Sequence, residues 1–183
     1  MDRGLVERAQ RGDRDAYEAL ARNSARRLYL TAARILRDPD RADDAVQQAL
    51  VAIWRELPSL RDPERFEAWT YRLVVRACVR EARRSGRGGV REIRIEESIP
   101  SRWDGYADAD LRDQLQRALR ALSVEHRTVV VLHHYAGLPL TEIAEIVGVP
   151  YGTARSRLHH ATNALRAAVE AGDRSPAIGG QPA

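Results

Sequence analysis

The chain has 183 residues, of which 44% are hydrophobic and 5% aromatic, so it can bury one core or two small ones. A single cysteine, Cys78, excludes internal disulfide bonds and a cysteine-based metal cluster. No apolar run approaches the roughly 18 residues that span a bilayer, and no signal-peptide pattern opens the chain. We therefore expect a cytoplasmic protein that does not insert into a membrane.

Charge is distributed in blocks, although the formal net charge is only +4. Residues 71–91 carry seven arginines and one acid. Residues 38–67 carry eight acids and four arginines, and residues 92–113 carry seven acids and three arginines. Alternating blocks of opposite sign favour several charged partners over a single one.

The first half of the chain predicts four helices from apolar residues at helical spacing. Asp13 or Asp15 can cap the second helix, and we expect Asp40 to cap the third. Asp62 followed by Pro63 predicts the start of the fourth, since proline is favoured at the first helical position. Helix-forming residues dominate and β-branched runs are short, which indicates an all-α protein.

The third and fourth predicted helices each have a charged or polar face. On the third helix, Asp43, Asp44, Gln47 and Gln48 lie opposite the apolar stripe; such a face is usually only solvated. The fourth helix has an outward arginine face, which consists of Arg72, Arg76, Arg80, Arg83 and Arg84. Its aromatic residues, Phe66 and Trp69, fit either the core or a platform for unstacked bases, and their helical spacing favours the core.

Residues 138–166 predict a short helix, a tight turn and a longer helix. We expect Thr141 to cap the first of these helices and Gly148 to make the turn with a positive φ. The second helix combines one apolar stripe with a basic face, and no acid occurs between Tyr151 and Arg166. This layout is typical of a DNA-binding helix-turn-helix, although a solvated basic surface helix is the alternative.

No metal, cofactor or catalytic site is predicted. Neighbouring histidines at 133–134 and 159–160 point about 100° apart on a helix and cannot share one ion from the same turn. Cys78 fits a small packing residue better than a nucleophile. We therefore expect a protein that is not an enzyme.

Three segments carry a resemblance to one family. Residues 140–158 are similar to the −35-reading segment, region 4, of the extracytoplasmic-function sigma factors of bacterial RNA polymerase. Residues 42–54 resemble region 2.2 of sigma factors, and residues 66–73 resemble regions 2.3 and 2.4. The resemblance implies a region 2 domain at 1–85 and a region 4 helix-turn-helix domain at 110–171. An acidic linker at 86–109 and a disordered tail at 172–183 complete the predicted organisation.

The resemblance also assigns partners: core RNA polymerase through its β′ clamp helices and β flap, promoter DNA, and an anti-sigma factor. The implied polymerase-binding residues are Asp43, Asp44, Gln47, Gln48, Leu50 and Trp54. The implied residues for the −10 single strand are Arg61, Phe66, Trp69, Arg72, Arg76, Arg80 and Arg83. The implied residues for the −35 element are Thr153, Arg155, Ser156, Arg157, His159 and His160.

The sequence departs from the family pattern at several of these positions. The family usually has an acid where this chain has Gln48, often Phe in place of Leu50, and Val or Ile in place of Ala154. It commonly has Asn and Asp where this chain has Arg76 and Arg80. Longer cationic side chains favour phosphate binding over the base-reading roles of the family.

Two other functions fit parts of the sequence. A stand-alone helix-turn-helix regulator would explain residues 110–171, but not the strings at 43–54 and 66–84. It predicts tight duplex binding without polymerase and usually a dimer. An all-α enzyme would need a pocket with convergent titratable groups, which the sequence does not indicate.

Overall fold

The computed structural model describes residues 3–85 and 109–173 of the chain. The predicted linker, except for its last residue at 109, lies outside these ranges. The predicted tail lies outside them from residue 174 onward. Every regular element in the described ranges is helical, which confirms the all-α prediction.

The described part of the chain contains eight α-helices. In chain order they are α1 Arg3–Gln10, α2 Arg14–Leu36, α3 Pro39–Glu56, α4 Phe66–Ser85, α5 Ala109–Ala121, α6 Val124–Val130, α7 Leu140–Val147 and α8 Tyr151–Asp173. Two 3₁₀ turns, Leu57–Ser59 and Pro63–Arg65, lie between α3 and α4, and a π-helical turn, Val131–Tyr135, follows α6.

Capping side chains set the starts of α2 and α3, and two predicted caps, Asp40 and Thr141, were wrong. Asp13 caps α2 by accepting a 3.0 Å hydrogen bond from a first-turn backbone N–H. Asp38 caps α3, instead of the predicted Asp40, because Pro39 is already set for the first helical position. Helix α7 begins one residue before the predicted cap Thr141, and its N-cap position makes no side-chain hydrogen bond.

Helices α2, α3 and α4 pack around the larger of the apolar clusters. Its largest fully buried side chains include Leu20, Leu28, Ile53, Phe66 and Val74. Each such side chain contributes about 1.5–3 kcal/mol when it leaves water, so these three helices form the stable body of the first half.

A second, smaller cluster joins α5, α6 and α8 through Ala118, Val130, Ala161 and Leu165. Two of these residues are alanines, whose small side chains let α8 approach its neighbours closely. Ala154 is fully buried on the same helix, so the smaller side chain at this position still packs inside.

The two halves of the chain pack against each other through α7. Ile143 and Ile146 are buried in the same cluster as Val75 of α4. An exposed ion pair at 2.5 Å joins Arg65, in the 3₁₀ turn before α4, to Glu145 of α7.

Two further arginine contacts tie the halves together. Nη1 of Arg127, in α6, donates a 2.8 Å hydrogen bond to the backbone oxygen of Ile35 in the last turn of α2. The guanidinium of Arg34 lies 3.7 Å from the ring centre of Tyr135. The described part of the chain is therefore a closed arrangement of both halves.

Candidate nucleic-acid interface

The turn between α7 and α8 has the geometry predicted from the sequence. Gly148 has a φ of 71°, and its N–H bonds to the carbonyl of Ala144 at 2.9 Å. The next N–H, of Val149, bonds to the same carbonyl at 3.1 Å. These bonds close the end of α7, so Pro150 can direct the chain into α8 at a fixed angle.

Helix α8 presents a polar face near its N-terminal end. The exposed predicted residues on it are Thr153, Arg155, Ser156, His159 and His160, whereas Arg157 is half-buried. The imidazole Nε2 of His159 lies 3.0 Å from the side-chain nitrogen of Asn163, so this ring is held by its own helix. A short polar face on the N-terminal part of a helix is what enters a major groove in helix-turn-helix proteins.

Tyr151 belongs to this surface although the sequence reasoning did not assign it a role. Its side chain is 49% exposed at the first position of α8. The sequence feature that could have indicated this role is the position of Tyr151 between Pro150 and the basic face. A large side chain at that position is not covered by the domain.

A second basic surface lies on α4, and we call it the arginine face. It consists of Arg72, Arg76, Arg80, Arg83 and Arg84, of which Arg72 is half-buried and the others are exposed. These side chains line an open cavity of about 880 Å³, whose opposite wall is the C-terminal part of α7. Among the described residues that line it, Glu145 is the only acid, so this lining is strongly basic.

The remaining residues predicted to hold the −10 strand are placed differently. Arg61 is exposed in the turn before α4, outside this cavity. Phe66 is 1% exposed, so the prediction that it contacts DNA must be corrected: its ring is enclosed by the core and offers no face to a base. Trp69 is half-buried, with its ring centre 6.0 Å from that of Phe66.

The predicted polymerase-binding face of α3 is only partly exposed. Asp43, Asp44, Gln47 and Trp54 are exposed, and Trp54 packs edge-on against Tyr17 with ring centres 4.6 Å apart. Leu50 is half-buried against the core, and Gln48 is half-buried between α3 and α4. The exposed part of the face is acidic with one large aromatic side chain.

The described ranges hold no group of three or more His, Cys, Asp or Glu side chains that could bind a metal ion. Burial raises the pKa of the Cys78 thiol to about 12, so the thiol stays protonated as a packing residue. None of the helices in the described part is both long and apolar enough to span a membrane.

The fold and these surfaces define a helical DNA-binding protein with two separate basic faces, one of them on a helix-turn-helix. Comparison with known families agrees with this class. The family model described as Sigma-70 region 2 matches residues 20–88, and the model described as Sigma-70, region 4 matches residues 112–165.

Relatives extend the match over most of the chain. The ECF RNA polymerase sigma factor SigE of Mycolicibacterium smegmatis is 32% identical over 156 residues, which are 82% of this chain and 60% of that protein. The ECF RNA polymerase sigma-E factor of Escherichia coli K12 is 30% identical over 176 residues, which are 90% of this chain and 92% of that protein.

A solved structure shares the fold. The sigma factor RpoE of Bartonella quintana, in complex with the anti-sigma factor NepR, superposes with a TM-score of 0.68 at 20% identity, covering 84% of this chain and 96% of that one. The chain belongs to the extracytoplasmic-function sigma factors of the sigma-70 family. It is a transcription initiation factor that acts with core RNA polymerase and promoter DNA.

Proposed function

We propose that residues 1–85 form the domain that docks on core polymerase and holds the opened −10 element. The docking surface is the exposed acidic face of α3, with Asp43, Asp44, Gln47 and Trp54. Its charge complements an arginine-bearing helix such as the β′ clamp, and Trp54 supplies the large aromatic anchor typical of interface hot spots. Leu50 supports this face from beneath.

The arginine face of α4 binds the separated strand. A single strand needs a row of cations along its phosphates and surfaces on which bases can stack. Arg72, Arg76, Arg80 and Arg83 supply the cations, and Arg61 extends the row toward the start of the helix. Trp69 is half-buried, and the exposed part of its ring contacts an unstacked base.

Residues 110–171 form the domain that reads the −35 element. Arg155, Ser156 and His159 face base edges, while Thr153, Arg157 and His160 lie near the phosphate backbone. An arginine bidentate to guanine discriminates against other bases by about 1–3 kcal/mol. The same domain contacts the β flap, as the family resemblance implies.

The closed arrangement has to open before both elements can be bound. The elements read by the family are roughly 17 base pairs apart, or about 60 Å at about 3.4 Å per pair. With α7 packed against α4, the arginine face and the basic face of α8 belong to one closed arrangement. Polymerase therefore has to hold the two halves of the chain apart.

This function is that of an initiation factor and not of an enzyme, and it is carried out in the cytoplasm with polymerase. The observation that carries it is the presence of an acidic face on α3 and a basic face on α4 within one domain, linked to a helix-turn-helix. The test is in-vitro transcription with core polymerase on genomic fragments. Specific transcripts are expected only when both proteins are present, and nanomolar duplex binding by the isolated chain would contradict the proposal.

A further inference from the structure

The side chain of Gln48 is engaged inside the protein, between the docking helix and the DNA-binding helix. Its Nε2 donates a 2.6 Å hydrogen bond to Oε1 of Glu81. Its Oε1 accepts a 3.3 Å hydrogen bond from Nη1 of Arg80. Because an ionised carboxylate only accepts, the amide must turn its NH₂ toward Glu81 and its carbonyl toward Arg80.

Glu81 is a buried acid within the otherwise basic segment of α4. It is only 5% exposed, and the same Oε1 accepts a 3.2 Å hydrogen bond from Nη1 of Arg84. Its backbone oxygen accepts a 2.6 Å hydrogen bond from Nη2 of Arg41 in α3. Burying a carboxylate without hydrogen-bond donors costs free energy, so the hydrogen bond from the Gln48 amide stabilises Glu81 strongly.

The contact between Gln48 and Arg80 joins two positions at which this sequence departs from the family pattern. An acid at position 48, as is usual in the family, would place a second carboxylate at hydrogen-bond distance from Glu81. An Asp at position 80 would remove the donor that the amide carbonyl accepts from. The two departures are therefore parts of one arrangement, in which an amide lies between an acid and an arginine.

We propose that Gln48 and Glu81 are positioning residues for promoter opening, which hold Arg80 on the arginine face for the −10 strand, and that Gln48 does not itself contact polymerase. This inference rests on the proposed function of α4. Without the amide, Glu81 loses a donor and competes with DNA phosphate for the guanidinium of Arg80. The freed arginine also gains rotamers that it has to lose again on binding.

The test compares Gln48→Ala with Gln47→Ala, the exposed neighbour assigned to docking. Core affinity is measured by fluorescence anisotropy of the labelled full chain. Opening is measured by 2-aminopurine fluorescence at the −10 element with saturating core polymerase, on a promoter selected from genomic fragments. Gln48→Ala should keep core affinity within about twofold and open about tenfold more slowly, which is the effect of losing a charged hydrogen bond. Gln47→Ala should instead lower core affinity and, at saturating core polymerase, leave the rate of promoter opening unchanged.

A double-mutant cycle with Arg80→Ala separates positioning from general damage. If Gln48 acts through Arg80, the double variant Gln48→Ala/Arg80→Ala opens no more slowly than Arg80→Ala alone. If the effects of the two single substitutions on the rate of promoter opening add up in the double variant, the proposal is overturned.

Exchanging the amide and the acid between positions 48 and 81 distinguishes a loss of positioning from a failure to fold. Gln48→Glu should be defective because two carboxylates meet, and adding Glu81→Gln should restore opening to within about threefold, since the donor and acceptor are then reversed. No recovery would overturn the positioning role. If Gln48→Ala instead lost core affinity, Gln48 would be a docking residue; if the wild-type chain opened no promoter with core polymerase, the proposed function itself would fail.

Discussion

Arg127 bonds to the backbone oxygen of Ile35 across 92 residues of sequence, and in this way connects the C-terminal half to the end of α2. The same guanidinium donates a second 2.8 Å hydrogen bond, to the backbone oxygen of Leu122. The last carbonyls of a helix carry partial negative charge, which suits a guanidinium whose hydrogen bonds in the described part of the chain go to backbone carbonyls. Burial lowers the pKa of Arg127, with a smaller contribution from nearby Arg41, so this cation depends on both carbonyls.

Replacing Arg127 should loosen the closed arrangement. Arg127→Met keeps much of the side-chain volume but leaves two carbonyls without their donor, at about 1–3 kcal/mol for each buried group. We expect a larger radius of gyration in small-angle scattering, with unchanged helix content by circular dichroism. Arg166→Met, an exposed arginine of α8, is the matched control. Equal compactness of both variants would contradict a role for Arg127 in closure.

Arg155 and Arg157 should differ in the kind of DNA binding that they support. Arg155→Ala should cost about 1–3 kcal/mol on the cognate −35 element and relax base preference there, while core affinity stays intact. Arg157→Ala should weaken binding to all sequences. It should also reduce the slope of log affinity against log salt concentration by about the amount expected for one phosphate contact. Both effects are measured by holoenzyme binding to promoter variants over a salt series. Unchanged base preference in Arg155→Ala would remove this residue from base reading.

Phe66 should matter for stability and Trp69 for DNA. Phe66→Ala removes a ring that is enclosed by the core and should cost about 3–5 kcal/mol in urea unfolding. Trp69→Ala should cost less, since the ring is half-buried, but it should slow promoter opening by the holoenzyme. A Trp69 variant that opens promoters at the normal rate would assign this residue to packing alone.

Reversing a charge on α3 should block docking. Asp44→Arg places a cation where a basic polymerase helix is expected, and should lower core affinity by about tenfold or more. Glu18→Arg, an exposed acid on α2, is the control and should leave core affinity unchanged. The measurement is anisotropy of the labelled chain titrated with core polymerase, and equal affinities for the two variants would contradict the assignment of α3.

Cys78 should make stability depend on alkaline pH. Its folded pKa is raised to about 12, above the ordinary value of 9.0, because burial disfavours the thiolate. The native state therefore holds the proton more tightly, and this contribution is fully present below pH 9 and lost as pH rises toward 12. Urea unfolding at pH 8 and pH 10.5 should show a steeper loss for the wild-type chain than for Cys78→Ala. If the free energy of unfolding falls equally in the wild-type chain and in Cys78→Ala, the prediction is contradicted.

The sequence by itself determined the helices, their faces and the family. Apolar residues at helical spacing, the Asp62-Pro63 start and Gly148 at the turn are local signals, because capping and φ preferences depend on a few neighbouring residues. The exposed face of α8 could be predicted except at Arg157, which is half-buried, since one apolar stripe specifies which side faces outward. Asp40 was predicted as the cap of α3 in place of Asp38, because both acids lie next to Pro39.

Only the tertiary structure decided which polar residues are available to partners. Spacing placed Gln48 with Gln47 on a polar face, yet the approach of α4 brings Glu81 against Gln48 and turns its amide inward. Spacing likewise left Phe66 open to two interpretations, which the packing of α4 on the core resolved. The closed arrangement of the two halves depends on pairs such as Arg127 and Ile35, which are far apart in sequence. No periodicity can reveal such pairs, because the physical cause is the meeting of surfaces that only the folded chain brings together.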